Sequence, residues 1–302
     1  MWSGAHRLVR AGVRFYSHAD RAMSRIQSAS RFVLAGVLDE ALTTAEKSAV
    51  SIDFYDLGAG GYRIPREQPF EWERKWYDAA LPPAPCRILV GAAGSGPEVA
   101  YLRDQGYQVD ALEPSRDLAE RCRRMLGPNG EVVVASYEEL SRSVLDGEVV
   151  NPAARIANST YDAVLLGFGS LSHVLDLNER GRLLSSCVRL APAGPILASF
   201  WLAAKSRSPG RAGRAEHSGR FLGGLIRRVR RLPAHNARLS FGSWYGFAHS
   251  FARDEIEDLA KLIGRGLVWC GDAGIYPHVV FTPCTAIGYC CVATETEGSI
   301  HK

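Results

Sequence analysis

A turn of small residues followed by an acid is the clearest candidate for ligand chemistry in this sequence. Gly94 and Gly96 lie in the segment AAGSG, and Glu113 follows a second apolar stretch. Glycine lets a backbone approach a ligand closely, and an acid about 20 residues later can accept hydrogen bonds from both hydroxyls of a ribose. The spacing therefore predicts a site for a nucleoside.

The residues around this turn indicate which nucleoside it suits. A dinucleotide fingerprint that starts at Gly94 needs a small residue at position 99, where this chain has Val99. Pro97 removes one free N–H from the predicted helix start, and Glu98 places a carboxylate there that would repel a diphosphate. A ligand with an adenosine ribose and a cationic amino-acid tail avoids this repulsion, and S-adenosylmethionine (SAM) is such a ligand.

Three predicted elements hold these residues in place. Residues 86–90 form an apolar run with no helical period, residues 97–105 carry apolar side chains on one side, and residues 108–112 are apolar again. Strand, helix and strand in this order make a βαβ unit, which binds its ligand where the first strand meets the helix. The glycines occupy that position.

Later segments continue the pattern in order. They are VVVASYEEL at 132–140, YDAVLLGFGSLSHV at 161–174 and RLLSSCVRLAPAGPILASFW at 182–201. Together with the glycine turn, they resemble the class I SAM-dependent methyltransferases over residues 86–202 and, more weakly, over 244–294. The resemblance implies an α/β fold with a doubly wound seven-stranded sheet, and it implies SAM as the cofactor.

The resemblance also implies a set of cofactor-binding residues. The family's usual turn, GxGxG, has Ala92 in place of its first glycine here, and Val90 and Ser136 stand where many members have acids. Glu113 is expected at the ribose, and Ser136 and Tyr137 are expected near adenine. The full expected set is Gly91, Ala92, Gly94, Gly96, Glu113, Pro114, Ser136, Tyr137, Gly167 and Phe168.

Histidines and aromatic residues are the candidates for the acceptor side. Methyl transfer from a sulfonium is an in-line displacement that needs close approach, and it needs a base only where the acceptor is protonated. His173 and His249 are the candidate catalytic bases. The alternatives are a loop histidine bonded to backbone for His173 and a packing residue for His249. The expected acceptor-lining residues are Trp72, Tyr77, Trp244 and Tyr245.

The composition and the remaining motifs argue against several other classes. The sequence has no histidine and acid spacing typical of zinc or iron sites, no P-loop and no GxSxG motif, so no metal is expected. No apolar run reaches about 18 residues, so no transmembrane segment is expected. The seven cysteines form no CxxC pair, which favours reduced thiols in the cytoplasm. Residues 1–31 are basic and resemble a mitochondrial presequence; the alternative is a helix that packs on the domain.

Composition predicts four parts along the chain. They are a helical N-terminal cap at 1–84, a SAM-binding core at 85–204, a basic insertion at 205–233 and the C-terminal part of the core at 234–302.

Two of these parts carry specific predictions about their elements. Residues 205–231 hold nine basic residues against one acid, Glu216, and are expected to form a loop followed by a short helix at 221–233. In the last part, the runs at 266–270 and 285–294 are predicted to be the final strands.

These patterns together predict a SAM-dependent methyltransferase that modifies O or N of a small or medium-sized metabolite. A second interpretation is an RNA or protein methyltransferase that docks through residues 205–231, although Phe221 is the only aromatic residue there, which disfavours a nucleic-acid platform. A third is a non-catalytic partner protein with the same fold. An NAD-dependent oxidoreductase ranks behind these, and no oligomeric state is predicted.

Overall fold

A computed structural model describes residues 27, 29–56, 66–203, 211–232, 239–242, 246–271 and 276–283. The chain divides into two compact units: the larger comprises residues 44–203 with 242–302, and the smaller comprises residues 1–43 with 204–241. This division falls inside the expected N-terminal section 1–84. The helices between residues 44 and 84 therefore belong with the sheet.

The elements alternate between helix and strand through the middle of the chain. The helices are α1 (29–41), α2 (Thr44–Asp56), α3 (Glu71–Ala80), α4 (Pro97–Asp104), α5 (Arg116–Leu126), α6 (Tyr137–Asp146), α7 (Ala154–Ala157), α8 (Leu177–Leu190), α9 (Arg211–Arg230) and α10 (Arg253–Leu262). The strands are β1 (Arg87–Gly91), β2 (Gln108–Leu112), β3 (Val132–Val133), β4 (Ala163–Leu166), β5 (Ile196–Ser199), β6 (Trp201–Leu202), β7 (Leu239–Gly242), β8 (Gly246–Phe251), β9 (Gly266–Gly271) and β10 (His278–Thr282).

Local sequence explains where several helices begin. Ser115 accepts a hydrogen bond from the backbone of Leu118 at the start of α5, and Ser136 forms a capping box with Glu139 at the start of α6. Asp176 accepts from two backbone N–H groups at the start of α8. Side-chain oxygens at these positions satisfy N–H groups that have no partner inside the helix. The caps fix the starts of the helices that follow β2, β3 and β4.

The larger unit is built on a seven-stranded sheet in the order β3-β2-β1-β4-β5-β10-β9. The first five of these strands are parallel, whereas β10 is antiparallel to both of its neighbours. Alternate side chains of β1 face opposite hydrophobic clusters: Leu89 packs in one, and Ile88 and Val90 pack in the other. A sheet buried on both faces needs apolar strands, as predicted. The order reverses between β1 and β4, which is where such sheets bind ligands.

The strand that pairs with β9 differs from the prediction. The sequence predicted this strand over 285–294, but the partner of β9 is β10, in which Val279, Val280 and Phe281 are buried. This apolar run is only three residues long and lies between Pro277 and Pro283, and prolines are typical of turns, so the sequence pattern did not indicate a strand there. Residues 285–294 lie outside the described residues. The predicted strand at 266–270 is confirmed as β9.

The smaller unit contains the basic segment, and its helix is longer than predicted. The sequence predicted a loop followed by a helix at 221–233, whereas α9 begins at Arg211. The composition of residues 206–220 suggested a loop, but α9 packs on α1 through two glycines. A Cβ at Gly219 would lie 2.0 Å from the Val33 carbonyl oxygen, and one at Gly223 would lie 2.7 Å from that of Val37. These glycines permit a close helix contact instead of interrupting the helix. Among the described residues, no helix has the length and apolar character needed to cross a membrane.

Candidate functional site

The chain turns sharply between β1 and α4, as the sequence predicted. Ala92, Gly94 and Gly96 have left-handed backbone conformations, with φ of 48°, 57° and 94°. Glycine adopts this conformation at little cost, whereas alanine does so only where its surroundings impose it. The N–H of Ala93 donates to the carbonyl of Leu112 at 3.0 Å, which ties the turn to the end of β2.

Glu113 closes the turn from the β2 side. Its carboxylate is buried; Oε2 accepts the N–H of Gly94 at 2.8 Å, and Oε1 accepts the N–H of Ser115 at 2.9 Å. Burial raises the pKa of this carboxyl to about 7, although both N–H groups act to lower it. Each carboxylate oxygen has a second lone pair. Glu113 can therefore hold the turn and still accept hydrogen bonds from a ligand.

A cavity of about 1000 Å³ lies at the carboxyl ends of β1, β2, β3 and β4. Its far side is formed by α2, which contributes Thr44, Ser48 and Ile52 among others. The sequence-predicted residues that line this cavity are Ala92, Gly94, Glu113, Pro114, Ser136, Tyr137, Gly167, Phe168 and His173. The structure thus brings residues from four separate segments to one place.

Arg66 is a cavity residue that the sequence analysis missed. Its guanidinium donates to Glu73 Oε2 at 2.5 Å and also pairs with Glu98. It lies 4.1 Å from the centre of the Phe168 ring. Burial raises the pKa of Glu73, and the positive charge of Arg66 opposes that rise. Arg66 therefore compensates two buried carboxylates at the edge of the cavity.

This arrangement changes one sequence argument. Glu98 was expected to repel a diphosphate, but its charge is compensated by Arg66, so that repulsion is weaker than the sequence suggested. A guanidinium has five N–H donors, so Arg66 can pair with both glutamates and still donate to the carboxylate of an amino-acid tail. In the sequence, Arg66 is a single basic residue in a proline-containing segment. Nothing in that pattern distinguishes it from an ordinary surface arginine.

Two of the predicted glycines support the site without lining it. A Cβ on Gly91 would lie 2.7 Å from the Tyr137 ring, so this glycine makes room for that ring. A Cβ on Gly96 would lie 3.0 Å from the Cα of Cys122, on the side of α5. Both glycines let neighbouring groups pack closely behind the turn.

His173 lies in the cavity, and its hydrogen-bond partners determine its tautomer. Its Nδ1 lies 3.2 Å from the Phe247 carbonyl oxygen, and its Nε2 lies 3.3 Å from the Tyr55 hydroxyl. A carbonyl can only accept, so Nδ1 carries the proton and Nε2 accepts from Tyr55. Burial lowers the pKa of His173 to about 4, and the hydrogen bond to Phe247 opposes this effect. The imidazole is therefore neutral near pH 7.

Tyr55 is the second cavity residue that the sequence analysis missed. It lies in α2, and its ring meets His173 edge to face at 5.8 Å between ring centres. The sequence offered no spacing that connects positions 55 and 173. His173 therefore has features of both interpretations: it is hydrogen-bonded to the backbone, as a loop histidine would be, and it lies in the cavity, as a catalytic base would.

His249 is placed differently. It is buried, does not line the cavity, and its Nε2 lies 3.1 Å from Glu255 Oε1 at the start of α10. Its ring packs edge to face on Phe251 at 4.7 Å. These contacts fit the packing alternative, in which the histidine ties β8 to the first turn of α10.

Two of the expected acceptor-lining aromatics, Trp72 and Tyr77, also lie apart from the cavity. Trp72 packs on His278 at 4.8 Å between ring centres, and the hydroxyl of the buried Tyr77 donates to Glu73 at 3.3 Å. Trp244 and Tyr245 lie outside the described residues. The aromatic residues that surround Phe168 are instead Phe70, at 5.9 Å, and Tyr276, at 4.5 Å.

Comparison with known proteins gives structural matches. No family model matches the chain, and no curated protein matches it. The sugar N-methyltransferase KedS8 from Streptoalloteichus sp. is 16% identical, with 76% of this chain and 92% of that chain covered and a TM-score of 0.50. A 1,6-didemethyltoxoflavin-N1-methyltransferase from Burkholderia thailandensis, solved with S-adenosylhomocysteine, is 17% identical over 78% and 85% of the two chains, at a TM-score of 0.46. A protein named as a putative zinc-dependent alcohol dehydrogenase from Rhodobacter sphaeroides is 14% identical over 78% and 97%, at 0.48.

Over 76% of its length, the chain has the fold of the methyltransferase KedS8. The strand order and the match to KedS8 confirm the α/β fold that the sequence predicted. Identity at this level supports the fold and nothing finer, so the ligand and the reaction follow from the site.

Proposed function

We propose that this protein is a SAM-dependent methyltransferase that modifies a small or medium-sized metabolite, with a hydroxyl oxygen favoured over a nitrogen. The observation that carries the proposal is Glu113, a buried carboxylate that holds the glycine turn and lines the cavity. An acid in this position at the end of the second strand suits a ribose with two free hydroxyls.

The lining residues fit the parts of SAM in order. Glu113 accepts the ribose hydroxyls, Ser136 and Tyr137 lie on the adenine side, and Arg66 binds the carboxylate of the amino-acid tail. When bound, SAM supplies a methyl group on a positively charged sulfur. The chain's part is to hold the acceptor in line with that methyl group, about 3–3.5 Å away, and to exclude water.

Tyr55 and His173 form a proton relay in this proposal. The Tyr55 hydroxyl donates to His173 Nε2, and a hydroxyl oxygen that donates can also take a proton from the acceptor. In the transfer, the methyl carbon would exchange its bond to sulfur for a bond to the acceptor's oxygen. The acceptor's proton passes to Tyr55, and the tyrosine proton passes to Nε2. The resulting imidazolium keeps its Nδ1 hydrogen bond to the Phe247 carbonyl.

The low basicity of His173 favours a hydroxyl acceptor. With a pKa of about 4, the imidazole takes a proton only from a strongly acidic group. A hydroxyl becomes strongly acidic as its oxygen attacks the methyl carbon and acquires positive charge. A methylated amine remains a much weaker acid and would keep its proton. The pair therefore suits O-methylation better than N-methylation.

Calorimetry with SAM, S-adenosylhomocysteine and NAD tests the cofactor. We expect micromolar binding of the first two and no binding of NAD, because Val99 occupies the position where a dinucleotide site needs a small residue. NAD binding without SAM binding would overturn the proposal.

An untargeted metabolite extract incubated with methyl-labelled SAM tests the reaction. Label is expected in a methoxy group formed from a hydroxyl-bearing acceptor, and pure hydroxyl and amine analogues of that acceptor then decide the atom. Transfer to the amine alone would contradict the relay. SAM binding without any transfer would favour the non-catalytic interpretation.

A further inference from the structure

The outer face of α9 is apolar and exposed. Its large side chains recur at spacings of one and three residues, which places them along one side of a helix. Their exposed fractions run from 41% at Ile226 to 84% at Val229. The five residues of this apolar stripe are Phe221, Leu222, Leu225, Ile226 and Val229.

The opposite face of α9 is fixed to α1. Gly219 and Gly223 allow the two helices to approach closely. Arg220 pairs with Asp39 at 3.0 Å, and Arg227 pairs with Glu40 at 2.6 Å. The two carboxylates are almost completely buried, so these pairs are held in a definite geometry. The apolar stripe is therefore directed away from α1 by the packing of the smaller unit itself.

Basic residues accompany the apolar stripe: Arg228 follows Leu225 by three residues in α9, and Arg231 directly follows the end of the helix. Arg228 and Arg231 are exposed and have no carboxylate partner in the part of the chain that the structure describes. From His217 to Arg231 the sequence contains no acid. A helix with an apolar face bordered by arginines is complementary to an anionic lipid surface, in which apolar side chains enter the acyl boundary and arginines contact headgroups.

We propose that α9 docks on an anionic membrane surface and lies in the plane of the interface through the apolar stripe. RNA is a poorer fit, because the stripe offers apolar side chains where a nucleic acid needs charge and aromatic stacking. A second copy of this chain is also a poorer fit, because pairing along the stripe brings like-charged arginines together. The proposal is independent of methyl transfer.

Vesicle flotation with the full chain tests this docking. The probes are vesicles of phosphatidylcholine alone and vesicles that also contain phosphatidylglycerol. The double variant Leu225→Asp with Val229→Asp removes apolar surface from the stripe, and Val150→Asp, at a residue 90% exposed in the larger unit, is the matched control. The stripe side chains are exposed, so the double variant is expected to fold, and far-UV circular dichroism and thermal unfolding of each variant verify this.

Wild type and Val150→Asp are expected to bind the anionic vesicles at least about tenfold more strongly than the neutral ones, and less strongly in high salt. The double variant is expected to lose at least about tenfold in binding. Equal binding of the double variant, or no vesicle binding by wild type, would overturn the proposal. A dimer in sedimentation that the double variant dissociates would assign the stripe to a second copy. RNA binding that Arg228→Gln weakens and the double variant leaves intact would assign α9 to nucleic acid.

Discussion

The raised pKa of the Glu113 carboxyl makes ligand binding depend on pH. Its buried carboxyl has a pKa of about 7 in the protein without ligand, against an ordinary value of 4.5. Only the ionised form offers both oxygens as acceptors to the ribose. At about pH 6 roughly a tenth of the molecules carry that form, and at about pH 8 roughly nine tenths do. Affinity is therefore expected to rise about tenfold between these two conditions.

Calorimetry with adenosine measures this effect cleanly. Adenosine carries the ribose and lacks the α-amino group of SAM, which itself titrates near pH 8. Binding should release protons near pH 7, and the heat should therefore depend on the ionisation enthalpy of the buffer. Glu113→Gln removes the titration, so its affinity should be lower by about tenfold or more at pH 8 and should not change with pH.

The same group affects the stability of the protein without ligand, with the opposite dependence on pH. Because the folded-state pKa is raised, the stability that Glu113 contributes is complete below pH 4.5 and is lost as the pH rises through about 7. A rise in pKa of this size corresponds to about 3 kcal/mol. In Glu113→Gln, thermal unfolding is expected to show no such loss of stability as the pH rises. Adenosine binding with the same pH dependence in wild type and Glu113→Gln would refute the reasoning.

Three further predictions concern other parts of the chain. Arg66→Met should weaken SAM binding by about tenfold or more and leave adenosine binding nearly unchanged, because adenosine has no carboxylate; calorimetry with both ligands decides this. Tyr55→Phe and His173→Gln should each lower kcat by about 10²-fold or more with little change in SAM affinity, and a loss of SAM affinity alone would make His173 a cofactor-loop residue. Gly219→Ala places a Cβ 2.0 Å from a backbone carbonyl oxygen and should lower the free energy of unfolding by about 1–3 kcal/mol. Gly224→Ala places a Cβ with nothing within 4 Å and should raise the free energy of unfolding by about 1 kcal/mol. Thermal unfolding that ranks the two variants in the other order would contradict the packing of α1 on α9.

The sequence predicted those parts of the site that depend on local pattern. The turn at Gly94 and Gly96 and the acid at Glu113 belong to one βαβ unit, where order along the chain determines position in space. Gly167 and Phe168 were predictable for a similar reason, since they follow β4, the neighbour of β1. Strand ends in a parallel sheet meet at one edge, so each motif could be placed without knowledge of any distant contact.

Other parts of the site depend on contacts between distant segments. Arg66 reaches the cavity because Glu73 and Glu98 hold it, and Tyr55 because α2 lies over the strand ends. No spacing in the sequence encodes those approaches. Conversely, His249 and Tyr77 had suitable chemistry and a suitable neighbourhood in the chain, but their polar groups are bonded to Glu255 and Glu73. Residue type alone could not separate a ligand-binding side chain from one bound within the core.

The residues that line the cavity come from two kinds of element, and each kind carries a different proposed role. The groups proposed for the ribose and adenine follow strands of the sheet, and their positions are set by backbone hydrogen bonds such as the one from Gly94 to Glu113. The groups proposed for the acceptor come from α2 and from the turn that carries His173, and Tyr55 and His173 meet through side-chain contacts. A sheet edge tolerates little change without losing its turn, whereas exposed helix positions and single side-chain contacts vary at low cost. We therefore expect acceptor specificity to depend on α2 and the His173 turn, and binding of the ribose and adenine to depend on the sheet.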